Sequence, residues 1–231
     1  LFETVIITPQ PGKLMDFEKQ LGEHNKTYHA SQSHGCRVYE IANGKNTGKY
    51  VWQMGPTSWE ALDSRPSDEG HDEHWETVSV HTLPDAHASY WSQDLQHSYF
   101  VENFDINKLY IMFIDTKPNK WKELSYLMKK IQKVHAEKLP DEQYGVYWNN
   151  TGSSAEGRDL AIVWFFDDWA WMGRNNGFEG KFEEVHGEGS WERWMNDWTS
   201  LNEGYEIEIW SYREDLSGHG PAVDVSARTG N

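Results

Sequence analysis

The sequence predicts an α+β fold made of two tandem β-α-β-β-α-β units. Two patterns predict it. Strand-like and helix-like segments recur in the same order in each half of the 231 residues. Prolines and tryptophans recur with them at a nearly constant offset: 107 for Pro11 and Pro118, 108 for Val38-Tyr39 and Val146-Tyr147, 112 for Trp52 and Trp164, and 119 for Trp91-Ser92 and Trp210-Ser211. The offset grows only where a loop of the second half lengthens, as a duplicated chain requires.

In the first half, residues 3–8 (ETVIIT) read as a strand that Pro9 and Pro11 end. Residues 12–28 switch to helical spacing, with Leu14, Phe17, Leu21, His24 and Tyr28 on one stripe. Residues 36–42 and 49–54 read as strands joined by hairpin chemistry at Asn43-Gly44 and Gly48. A short helix is expected at 58–63, another at 75–83 closed by Pro84, and a strand at 87–92. Residues 93–107 read as a connection with an extra strand at 98–102. In the second half, strands are expected at 109–115, 144–148, 159–166 and 205–212, and helices at 119–138 and 191–201. Residues 149–157 read as a hairpin loop, 173–189 as a Gly-rich loop and 217–231 as a mobile tail. The expected domains are therefore 1–95, a connection at 96–107, 108–216, and the tail. The run Ala161-Ile-Val-Trp-Phe-Phe166 does not alternate, so it reads as a strand buried on both faces.

The net charge is −16, and phosphates repel such a surface. We therefore expect no nucleic acid and no anionic membrane among the partners, and a small-molecule ligand instead. No run of 18 apolar residues is present, so no helical span is expected. The single Cys36 excludes an internal disulfide framework. Leu1, rather than Met, precedes a strand-like run, from which we expect a removed segment and export to a bacterial periplasm or the extracellular space.

Two β-α-β-β-α-β units in tandem resemble the dimeric α+β barrel superfamily, in which each ferredoxin-like unit lays two helices on one face of a four-stranded antiparallel sheet. The opening ETVIITPQPGKLMDFEKQL looks most like NIPSNAP-like and antibiotic-biosynthesis-monooxygenase-like proteins: a strand, a Pro/Gly break, then a helix with an early aromatic. The resemblance covers about residues 1–216. It implies an intrachain pseudo-dimeric barrel and a pocket between a sheet and its helices. It also implies a choice among cofactor-free monooxygenases acting on aromatic substrates, haem-binding or metal-binding proteins, and binding proteins without catalysis.

The candidate ligand site lies in the first unit: His24, Asn25, Tyr50, Trp52 and Arg65. His24 stands on a core-facing stripe where the 107 offset places Ile131 in the second half, and a buried imidazole needs a partner or a ligand. Asn25 and His29 flank it and are expected to point partly to solvent. Tyr50 and Trp52 would wall a pocket, with Trp59, Trp164 and Trp171 as further candidates, although Trp52 and Trp164 fit hydrophobic core better. Arg65, in Asp63-Ser64-Arg65-Pro66, would anchor an anionic ligand. His71 and His74, three apart, are the candidate metal ligands, and the second half lacks them. His24 or His74 would be the haem ligand, but no basic cluster nearby would hold propionates. Cys36 reads as a small buried hydrophobe. No GxSxG, Walker or GxGxxG pattern is present, so neither a reaction nor a cofactor follows from the sequence.

Overall fold

The computed structural model describes residues 1–31, 33–152 and 156–226. The protein is α+β and divides into two units: Leu1–Ser92 with Glu208–Ala222, and Gln93–Ile207 with residues 223–226.

The first unit runs β1 (Phe2–Ile7), α1 (Leu14–Tyr28), β2 (Cys36–Ile41), β3 (Tyr50–Met54), a single turn α2 (Trp59–Leu62), α3 (Glu69–Ser79) and β4 (His87–Gln93). All its strand pairs are antiparallel. Val5 stands opposite Trp52 on β3 and Ala88 on β4, and Val38 of β2 stands opposite Trp52 from the other side. Period-2 alternation therefore puts Ile7, Cys36, Val38, Tyr50, Trp52 and Met54 on one face, where Phe17 and Leu21 of α1 and Val78 of α3 close the core. Phe17 and Leu21 are fully buried, each contributing roughly 1.5–3 kcal/mol of apolar burial. The β2–β3 hairpin turns at Gly44 and Gly48, both in the left-handed region at φ 78° and 79°, which a Cβ would oppose.

The second unit contains β5 (Phe104–Asp105), β6 (Lys108–Thr116), α4 (Trp121–Lys138), β7 (Tyr144–Asn149), β8 (Leu160–Phe166), α5 (Phe178–His186) and α6 (Ser190–Leu201). β8 pairs antiparallel with β6 on one side and β7 on the other. No residue of β8 is exposed, in keeping with its unbroken apolar run. The core gathers Ile114, Leu124, Leu127, Met128, Val146, Leu160, Phe182 and Trp194. A last long strand, β9 (Asn202–Tyr212), begins in this unit; its end pairs with β2 in the first, Tyr39 opposite Tyr212.

Four expectations are corrected. The helix placed at 75–83 is α3, starting at Glu69: Asp68 caps it by accepting the His71 backbone N–H at 2.9 Å, with Glu69 and Asp72 in the positive first turn. Apolar spacing begins only at Trp75, so periodicity missed this polar start. The Gly-rich loop contains α5, because Gly177 and Gly187 bound a helix, whose Phe178 and Phe182 pack one turn apart. The strand at 98–102 is reduced to one bridge, Tyr99 to Tyr144. The tail is packed as far as Ser226. Arg37 donates to the carbonyls of Gly220 and Ala222 at 2.8 Å each, and Tyr212 donates to that of His219. Val223 and Val225 are buried. Of the expected tail, residues 227–231 lie outside the described residues, as do 153–155 of the expected hairpin loop. In the compact units, residues 208–222 lie with the first and 93–107 with the second.

Candidate functional site

Two places carry functional character, one in each unit. In the first, α1 and α3 pack side by side and bring together histidines from both. His24 projects from the buried face of α1, His29 caps its C-terminus, and His71 and His74 lie one turn apart on α3. The His24 ring lies 4.9–5.3 Å, centroid to centroid, from those of His29, His71, His74 and Trp75. Its Nδ1 is 3.3 Å from Nδ1 of His74, and Nε2 of His71 is 3.4 Å from Nε2 of His29. One ring nitrogen each from His24, His29 and His71 falls within a 4.8 Å group. His24 and His29 are buried, and His71 and His74 are half-buried. Burial pushes His24 down to about 3, with the neighbouring histidines adding to it. Burial likewise lowers His29 to about 4, against the hydrogen bond to the His34 carbonyl.

The other sequence-derived candidates have different roles. Asn25 is fully buried rather than solvent-facing; it accepts from Trp52 Nε1 at 3.0 Å and donates to the Leu216 carbonyl at 2.7 Å. Trp52 is thereby core, and His29 too turns inward, its ring meeting Trp52 edge-on. The Tyr50 hydroxyl donates to Glu18 at 2.5 Å. Arg65 is held by both carboxylate oxygens of Glu3, at 3.3 and 2.9 Å, so its charge is already matched. Trp59 is exposed and packs on Tyr90. Between the first sheet and its helices, Phe17, Trp52 and Met54 pack into a buried core. Cys36 is buried, with its thiol pushed up to about 12 by burial, which leaves it inert as a nucleophile.

A cavity of about 620 Å³ lies in the second unit, between its sheet and helices. Ile162 and Trp164 of β8 form its floor, and Trp191, Trp194 and Trp198 of α6 form a wall. Those three indoles stand one helical turn apart and stack nearly parallel at 5.3 and 5.2 Å. Polar groups are few. The Tyr144 hydroxyl and Asn202 Oδ1 are buried without hydrogen-bond partners among the described residues. His135 faces the Glu142 carbonyl through Nδ1 at 2.9 Å, so Nδ1 donates and Nε2 is the acceptor. Burial lowers His135 to about 4, so it is a neutral acceptor near pH 7 and a weak base. The signal for His135 was the same as for His24: an imidazole on the apolar stripe of a helix.

The haem reading fails a fit test in both places. Among the cavity-lining residues the charged ones are Glu142 and Glu203, and no lysine or arginine is present to match propionates. Five rings crowd His24 at 4.9–5.3 Å, those of Tyr28, His29, His71, His74 and Trp75, where a porphyrin would have to lie.

No protein-family model matches the sequence, and no curated protein matches it either. Solved structures do. A monooxygenase-like protein from Lactobacillus acidophilus is 9% identical, with 96% of this chain and 98% of that chain covered and a TM-score of 0.56. A monooxygenase-like protein from Fusobacterium nucleatum is 7% identical, with 91% of each chain covered and a TM-score of 0.58. Chlorite dismutase from Candidatus Nitrospira defluvii, solved in complex with imidazole, is 8% identical, with 93% of each covered and a TM-score of 0.51. At such identities the likeness shows the fold alone, one shared with these monooxygenase-like and chlorite dismutase-like structures.

Proposed function

We propose that the protein binds a small, largely aromatic molecule carrying one or two polar groups in the cavity of its second unit. The observation that carries this reading is a cavity of about 620 Å³, walled by indoles, whose buried Tyr144 hydroxyl and Asn202 oxygen have no partner among the described residues. The volume lies in the usual range for small-molecule sites. An unmet buried hydroxyl and carbonyl favour a ligand that supplies an acceptor to one and a donor to the other. The same placement was expected of the first unit, whose core is filled instead.

The test is quenching of tryptophan fluorescence by 1-naphthol, with naphthalene for comparison. Saturable binding is expected, lost in Ile162→Trp, which fills the cavity. Tyr144→Phe should weaken 1-naphthol about 5- to 30-fold and leave naphthalene unchanged. Equal binding by Ile162→Trp would remove the cavity from consideration.

A second reading, a cofactor-free monooxygenase-like enzyme on an electron-rich aromatic substrate, is supported by the acceptor Nε2 of His135 at the cavity wall. Its lowered basicity suits it to hold a substrate hydroxyl rather than to deprotonate it. We also read the two units as a tandem duplication of one ferredoxin-like unit, on the shared order of elements and the recurring tryptophan spacing.

A further inference from the structure

The ring nitrogens of the first unit's histidines are arranged in a way that neutral imidazoles do not satisfy by themselves. His29 Nδ1 lies 3.1 Å from the His34 carbonyl, which can only accept, so this nitrogen carries the proton and Nε2 carries a lone pair. His71 Nδ1 lies 2.9 Å from the Asp72 carboxylate, and the same reasoning leaves a lone pair on its Nε2. These two Nε2 atoms face each other at 3.4 Å. Two acceptors at that separation repel unless a cation lies between them. His24 adds a third unmet group: its Nε2 is buried and has no partner among the described residues, although its Nδ1 meets His74 Nδ1. A buried polar atom without a partner costs roughly 1–3 kcal/mol.

We propose that His24, His29 and His71 bind a divalent transition-metal ion, with zinc as the fitting member of that class. Two nitrogens each about 2.0–2.1 Å from a tetrahedral zinc stand about 3.3–3.4 Å apart, and the His29–His71 pair already has that spacing. The third ring needs only a small closing movement within the 4.8 Å group. Outer partners are in place: Asp72 and the His34 carbonyl orient two of the rings, and His74 accepts from His24 Nδ1 once its Nε2 is given to the metal. The ligand set thus spans two elements. It is not the His71–His74 pair that spacing on one helix suggests; His74 belongs to the outer shell. Arg65, whose charge is felt at His29, is neutralised by Glu3. His71 is part-exposed, so the fourth position faces solvent and takes water, as in sites where a metal acts as a Lewis acid. The inference is independent of the cavity in the other unit.

The test is calorimetric titration of the chelator-treated full chain with zinc chloride, paralleled by the visible spectrum with cobalt(II). One ion per chain with a dissociation constant below about 1 μM and a blue tetrahedral cobalt spectrum are expected. His71→Ala, a change at a part-exposed position of α3, should weaken zinc by at least about a hundredfold, and His74→Ala by about tenfold. His87→Ala, at an exposed position of β4, should bind as the parent does. Far-UV circular dichroism identifies any variant that fails to fold, and the parent's own cobalt spectrum carries the test independently of variants. Cobalt that stays pink and octahedral, or zinc affinity unchanged in His71→Ala, would overturn the proposal; the first result would mean that the pair holds at most a shared proton.

Discussion

Replacing His135 with Gln should flatten the acid limb of the stability profile. The ring is 2% exposed, donates to the Glu142 carbonyl, and packs on Tyr144 at 4.6 Å and Phe178 at 5.6 Å. Burial holds it near pKa 4, against 6.5 for the ordinary group. The folded-state value is depressed, so below 6.5 the unfolded chain binds a proton that the folded chain refuses. Stability is therefore lost as pH falls from about 6.5 towards 4, at up to about 1.4 kcal/mol per pH unit. Between pH 7 and pH 5 the group accounts for about 2 kcal/mol of loss. Urea denaturation of the parent and His135→Gln at both pH values isolates the term, since other histidines contribute equally to each. The parent should lose about 2 kcal/mol more than the variant. A difference of less than about 0.5 kcal/mol would mean that the ring is solvated or protonated in the folded state. The description of Nε2 as a neutral acceptor at the cavity wall would then fall with it.

Three further outcomes follow from particular contacts. At Gly218 a Cβ would stand 2.2 Å from the Asn25 carbonyl oxygen and 2.3 Å from that of His29. Gly218→Ala should therefore destabilise by about 2–4 kcal/mol in urea titration; an unchanged midpoint would show that Gly218 does not pack on the end of α1. Arg65→Ala strips the buried Glu3 of its two charged hydrogen bonds, leaving Tyr90 as its donor. It should cost about 1–3 kcal/mol, reduced by the part-exposure of the pair, and leave 1-naphthol binding untouched; weaker binding would restore Arg65 as a ligand anchor. Cys36 should resist an aromatic disulfide reagent in the native protein and react once urea unfolds it, which a stoichiometric thiol assay checks. Full reaction in the native state would contradict its burial.

The order of strands and helices was legible because burial imposes periods. Leu109 through Ile114 and Ala161 through Phe166 read as strands, and Phe17, Leu21 and His24 as a helix face, because each sits where the structure removes side chains from water. Elements defined by polar signals were misread. Asp68 starts α3 through a hydrogen bond to a backbone N–H, seven residues before apolar spacing begins, and Gly177 and Gly187 bound a helix where glycine content suggested a loop. His24 was legible as an anomaly on an apolar stripe. His29 was not, since a residue at a helix end has no periodic face, and its ring turns inward only because the His34 carbonyl and Trp52 receive it.

The sequence by itself determined the α+β class, the burial of Cys36 and the presence of unusual imidazoles on apolar stripes, since each depends on local composition and period. Tertiary structure decided which residues meet. The spacing of His71 and His74 on one helix suggested chelation within α3, yet the packing of α1 against α3 matches His71 with His29 and His24 with His74. The aromatic content of the two halves is alike in the sequence, but Phe17, Trp52 and Met54 fill one interior, while a stack of indoles on α6 stands away from Ile162 and leaves the other open. Distances between side chains on different elements follow from packing, and neither period nor composition encodes them.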